Sequence, residues 1–235
     1  FIGIAGSSMS EFAQDERHPV FPVFLVIDVS YSMAGEPVDA VNKALPELRE
    51  LIEEDPQVGE IARVGVITFS DVATSVLPLC DLGQAVLPTL EPQAGTNFAA
   101  AFRLVKKQIE EDIRSLGKGT RFYKPVVFFM SDGEHIAKED WVEPLRELTD
   151  RQWRFNPEIV TFGFADARAD TLGAIATRFA FVAKQGEPAA QVKEIMSALT
   201  ASIRTTSRSF GEPQGGGLQV DVDTTKFTAL PVQAV

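Results

Sequence analysis

The chain has 235 residues, 45% of them hydrophobic and 23% charged, an ordinary globular composition and enough length to bury one full core. Its 22 basic side chains are outnumbered by 33 acidic ones, and the formal net charge of -11 argues against non-specific nucleic-acid binding, which needs clustered Lys and Arg on phosphates. Cys80 is the single cysteine, which excludes an intrachain disulfide; the simplest reading is a free, buried thiol in a reducing compartment.

Residues 1–19 read as an amino-terminal arm. They have no basic segment of the kind that opens a cleavable leader, and residues 1–8 are set aside as vector-derived, with Met9 the native start. The longest apolar stretch, 20–29, is too short to span a bilayer and carries Asp28. Its core, PVFLVIDV (22–29), is the first of four runs that predict strands buried on both faces; the others are ARVGVITF (62–69), KPVVFFMS (124–131) and PEIVTFGFA (157–165).

Helical patterns lie between these runs. After Pro37, apolar residues Val38, Val41, Leu45, Leu48 and Leu51 recur at three and four, with Pro46 expected to kink or split the helix. Residues 97–116 place Phe98, Phe102, Val105, Ile109 and Ile113 on one side and stop at Gly117 and Gly119. Further helices are expected at 138–152 and 188–205, and a shorter one at about 168–178. Ser70 and Asp71 predict a turn that makes 62–69 and 73–79 a hairpin.

This alternation predicts an α/β fold: a doubly wound, mostly parallel sheet with one antiparallel edge strand and helices on both faces. One domain is expected over 20–209. A Gly-rich connection and carboxyl-terminal tail follow at 210–235, in which LQVDV is a candidate edge strand.

In such a sheet ligands gather at the carboxyl ends of the strands. The first strand ends there in Asp28, Ser30 and Ser32, one carboxylate and two hydroxyls on a tight loop, which suits a hard divalent cation. AGTNF puts Thr96 just before a helix, and FFMSDGEH ends a strand with Ser131, Asp132 and Gly133. Taken singly, Asp28 is more simply a loop cap and Thr96 a helix N-cap; their combination with Asp132 favours a metal. Glu36 and Glu134 flank the site but belong to the first turns of helices, where acids favour the dipole. His135 reads as a surface loop residue, and His18 belongs to the arm. Trp141 and Trp153 read as packing residues, and Tyr31, inside the metal loop, as a partner contact.

The set Asp28, Ser30, Ser32, Thr96 and Asp132 resembles the metal-ion-dependent adhesion site of von Willebrand factor A domains: Asp-x-Ser-x-Ser, then Thr, then Asp, in this order on this Rossmann-like topology. The segments FPVFLVIDVSYSMAGEPVDAVNKAL, KPVVFFMSDGE and ASIRTTSRS are most similar to the bacterial TerY-like branch, associated with tellurite-resistance and stress loci. The resemblance implies a bound Mg²⁺ or Mn²⁺. Ser30, Ser32 and Thr96 would contact it directly or through water, while Asp28 and Asp132 hold coordinated water and the serine hydroxyls. It also implies a protein partner that supplies an Asp or Glu to the metal, possible partners being a phosphatase or protein kinase of the same system, a cytoplasmic location and no enzymatic activity.

Three other readings fit these residues less well. A metal-dependent phosphohydrolase would also use an aspartate at the end of the first strand, but DVSYS has serine where a second acid would help, and MAGEP lacks the glycines and lysine of a phosphate loop. Serine hydrolase chemistry lacks a G-x-S-x-G elbow. An extracellular adhesion domain is the third reading; the single cysteine and missing export signal weigh against it.

Overall fold

The computed structural model describes residues 19–133, 135–138, 140–210 and 216–233. Seven strands form one sheet in the order β3-β2-β1-β4-β5-β6-β7. They are β1 (Phe21–Asp28), β2 (Ala62–Phe69), β3 (Ala73–Cys80), β4 (Val126–Ser131), β5 (Glu158–Gly163), β6 (Phe179–Ala183) and β7 (Phe227–Leu230). The helices are α1 (Glu36–Glu54), α2 (Pro56–Ile61), α3 (Phe98–Ser115), α4 (Val142–Thr149), α5 (Ala169–Ile175) and α6 (Pro188–Ser209).

The central strands pair in parallel, and all eight residues of β1 are buried, as a strand covered on both faces must be. Alternation then divides its side chains. Val23, Leu25 and Ile27 face the layer of α1, α2 and α6, where Val41, Leu45, Leu48, Ile195 and Leu199 are buried. Phe24 and Val26 face α3 and α4, through Phe102, Val105, Ile109 and Leu148. The predicted hairpin is present, with β3 antiparallel to β2 at one edge.

The other edge holds a second antiparallel strand, β7, which pairs with β6 through Ala180–Leu230 to Ala183–Phe227. The candidate edge strand at 218–222 lies elsewhere: it runs as an extended strap along α6. Thr206 Oγ1 donates to the Gln219 carbonyl (2.9 Å) and accepts from the Gln219 amide (3.0 Å), and Ser202 Oγ accepts from the Asp221 amide (2.9 Å). Buried hydroxyls on α6 thus satisfy the strap's backbone, and the sheet edge is left to β7.

Two other expectations are corrected. α1 runs through Pro46 without being split: the proline removes one backbone donor, while the buried Leu45 and Leu48 on either side stay in the core. α4 is shorter than 138–152, because Asp150 takes a non-helical conformation and Trp153 and Asn156 turn back on themselves (Trp153 N–H to Asp150 carbonyl, 2.9 Å). Trp141 and Trp153 pack against Phe98, Phe102 and Phe155, as packing residues do. Cys80 is half-buried on the edge strand, its thiol facing the Val64 carbonyl at 3.8 Å, and burial pushes the thiol pKa up. Among the described residues no helix is long and apolar enough to cross a membrane.

Candidate metal centre

Register sets the site. Asp28 pairs with Phe69, and Ile27 with Met130, so Asp28 and Ser131 end neighbouring strands side by side. Asp28 is fully buried, and each of its carboxylate oxygens accepts one hydrogen bond: Oδ1 from the Ser30 amide (2.9 Å), Oδ2 from the Ser131 hydroxyl (2.7 Å). The first bond closes the Asp28 loop into a tight turn. A single turn of 3-10 helix, Tyr31–Met33, follows, anchored by buried Met33, and leaves Ser32 and Tyr31 exposed.

The hydroxyls of Ser30 and Ser32 lie 2.9 Å apart, and Ser30 Oγ is 3.5 Å from Asp132 Oδ1. Four of the five predicted residues therefore meet through their side chains. Thr96 is buried and makes no hydrogen bond to the other four among the described residues; its carbonyl accepts from the Ile136 amide at 3.0 Å, which ties its loop to the one after β4. The loop that carries it is stitched over the strand ends: Val29 N–H to Phe69 carbonyl (2.9 Å), Gln93 N–H to Val29 carbonyl (2.6 Å), Asp71 N–H to Ala94 carbonyl (2.8 Å) and Asn97 N–H to Ser70 carbonyl (2.8 Å). Gly95 permits this path. Its φ of 80° is left-handed, and a Cβ there would fall 1.7 Å from Asp71 Oδ1.

Asn97, rather than Thr96, caps α3, accepting from the Ala100 amide (3.0 Å). His135 is a second cap, its Nδ1 accepting from the Phe98 amide at 3.0 Å, which ties the loop after β4 to the start of α3. Behind the loops Phe69 and Phe129 stack at 5.1 Å, with Phe98 edge-on to both. Glu36 is exposed at the start of α1; Glu134 and His18 lie outside the described residues.

The electrostatics are one-signed. Burial raises the Asp28 pKa to about 6, against the opposing pull of its hydrogen bonds, and Asp132 raises it further. Asp132 is also raised, by burial first, with Asp166 adding to it and Ser32 and Ser30 opposing. Both carboxylates feel other carboxylates as their charged neighbours. Two buried acids with no neutralising cation among the described residues, and with hydroxyls around them, make a fitting site for a hard cation. Among the described residues no three His, Cys, Asp or Glu side chains form a metal cluster, so a cation held here would need hydroxyl oxygens as well as the two carboxylates.

Sequence reasoning missed three contributors. Ser131 holds Asp28, and its signal was its place directly before Asp132 at a strand end. Val72 and Ile136 are exposed (61% and 69%) on the loops at this end of the sheet, as is Tyr31 (69%); the Val72 carbonyl accepts from the Ser70 amide and the Ile136 amide donates to the Thr96 carbonyl. Nothing in their local pattern marked them.

Residues 23–135 match the model of the von Willebrand factor type A domain. Such domains are generally metal-dependent protein-interaction modules. Solved structures agree on the fold. Proximal thread matrix protein 1 from the mussel byssus, in a form with a zinc-occupied metal-ion-dependent adhesion site, is 14% identical, with a TM-score of 0.57 over 79% of this chain and 48% of that one. The pilus adhesin SpaC from Lactobacillus rhamnosus GG gives 14% identity and a TM-score of 0.59 over 80% of this chain and 30% of that one. A von Willebrand factor type A protein from Catenulispora acidiphila gives 16% and 0.55, over 79% and 43%. This chain spans about half or less of the length of each of them. No curated protein matches the chain.

Proposed function

We propose that the domain is a non-enzymatic binding module that docks a protein partner through a divalent cation, Mg²⁺ or Mn²⁺, held by Asp28, Ser30, Ser32, Thr96 and Asp132. The observation that carries this reading is the pair of buried, mutually repelling carboxylates, Asp28 and Asp132, joined by the hydroxyls of Ser30 and Ser32. When bound, the cation supplies a positive centre that attracts an Asp or Glu of the partner.

The chain's own residues do the rest. Ser131 and the Ser30 amide fix the Asp28 carboxylate, and Gly95 permits the backbone path of the loop that carries Thr96. Neutral hydroxyls leave more of the cation's charge for a partner's acid than direct carboxylates would. Tyr31, Val72 and Ile136 offer apolar contacts around it. A phosphohydrolase is the weaker reading, since DVSYS offers Ser30 where such an enzyme benefits from a second acid. The segments similar to the TerY-like branch support a role in a bacterial tellurium-resistance or stress system, with a phosphatase or protein kinase as candidate partner. The free Cys80 supports a cytoplasmic location.

Affinity capture in Mg²⁺ with the intact protein and with Asp28→Ala tests the proposal. Partners retained by the former, lost from the latter and released by EDTA are expected. Identical partner sets under all three conditions would contradict a metal-dependent dock.

A further inference from the structure

At the pole opposite the metal centre, where the parallel strands begin, the sector around β4, β5 and β6 is basic, whereas the entry to β2 carries Glu53, Glu54, Asp55 and Glu60. Three loops enter the sheet in the basic sector: residues 116–125 before β4, 150–157 before β5 and 176–178 before β6. They carry Lys118, Arg121, Lys124, Arg151, Arg154 and Arg178 against a single acid, Asp150, in a chain where acids outnumber bases 33 to 22. All six cations are exposed.

The loops form one surface. The Glu158 amide donates to the Pro125 carbonyl (2.8 Å), the Ile159 amide to Thr177 Oγ1 (2.8 Å), and the Arg178 amide to the Ile159 carbonyl (3.1 Å). Arg154 lies over the rings of Phe122 (5.7 Å) and Phe155 (5.4 Å), which joins the first two loops. Between them opens a cleft of about 400 Å³ lined by Lys124, Arg151, Asn156, Thr177 and Arg178, among others.

Among the described residues Arg178 alone of the six pairs with a carboxylate, Glu158 at 3.3 Å. Lys118, Arg121, Lys124 and Arg154 lie in the loops that follow α3 and α4 rather than in the last turns of those helices. Among the described residues ion pairing thus leaves most of this charge unexplained.

We propose that this basic sector is a second docking surface, which takes an extended acidic segment of a protein. An acidic segment fits better than a compact phosphate group, because the cations are spread over three exposed loops and Glu158 lines the cleft. It fits better than nucleic acid because a chain of net charge -11 repels a dense polyanion while a short acidic stretch can lie within the basic area. The surface needs no metal. A domain with a cation site at one pole and this surface at the other can bridge two protein segments.

The test uses the full chain in EDTA at low ionic strength, which removes the metal centre from the measurement. The probe is a fluorescent peptide of about a dozen residues that alternates Glu and Ser, followed by anisotropy. Binding that weakens with salt is expected, with about tenfold loss in the double variant Lys124→Gln/Arg151→Gln. The double variant Lys43→Gln/Lys193→Gln removes the same charge from the groove between α1 and α6 and should lose less than about twofold. Thermal melting confirms that each variant folds, and Lys118→Gln/Arg121→Gln replaces the first pair if it does not. Absent binding by the wild type, equal losses in the pole and control variants, or tighter binding of a single-stranded oligonucleotide than of the peptide would each overturn the proposal.

Discussion

Asp28 is held as an anion's place without an anion's solvation. Its pKa, raised from 3.8 to about 6 by burial, means that the metal-free fold prefers the protonated form. The unfolded chain gives up the proton near pH 3.8 and the folded chain only near 6, so this residue's contribution to stability is greatest at low pH and is lost as pH rises between those values. The displacement corresponds to about 3 kcal/mol above pH 6. Asp28→Asn removes the titration and can keep the bond from the Ser30 amide. In EDTA the variant should therefore be more stable than wild type at pH 7.5, by up to about 3 kcal/mol, with the advantage shrinking toward pH 4. Asp132 is shifted in the same direction in both proteins, so its share largely cancels in the difference. Urea denaturation at several pH values measures this, and a difference that does not vary with pH would show that Asp28 carries no such cost.

At the scale of elements, the tail is the part that most rewards inspection. Phe227, the first residue of β7, is buried against Phe162 at 5.7 Å, edge-on at 74°, and touches Phe181 at 6.4 Å. Phe227→Ala should therefore cost about 3–5 kcal/mol in chemical denaturation, the range for a buried aromatic. A cost below about 1 kcal/mol would mean that the tail adds little to the domain. Sequence pattern alone misplaced this strand. Its four residues are too few to register and do not alternate in burial, whereas LQVDV alternates and yet is claimed by Thr206 and Ser202 on α6. β6, five residues long, escaped for the same reason of length. The four central strands were legible because burial on both faces forces unbroken Val, Ile and Phe, and α3 because its buried stripe is flanked by a clear cap and glycines. The Asp28 loop was legible because a buried strand that ends on Asp-x-Ser-x-Ser has no packing reason to do so. Ser131, Val72 and Ile136 were not, since their roles depend on which loops the sheet order brings together.

For the whole molecule, strand order turns a linear pattern into polarity. The parallel strands carry Asp28 and Ser131 to one pole, with Asp132 just beyond, and the loops that precede β4, β5 and β6 to the other. The first pole concentrates buried acid and hydroxyl, and the sector of the second around β4, β5 and β6 concentrates exposed base. The two predictions for these poles are independent, because EDTA silences one and leaves the other. Central to the account is that the acids at the first pole are there to hold a cation. The direct measurement is thermal unfolding of wild type and Asp28→Ala, freed of metal and titrated with Mg²⁺ and Mn²⁺, with the shift in melting temperature as the readout. A cation that binds the native state alone stabilises it by about 2.7 kcal/mol at a hundredfold excess over its Kd. The account predicts a saturable upward shift in wild type and none in Asp28→Ala; equal shifts in both, or none in wild type, would contradict it.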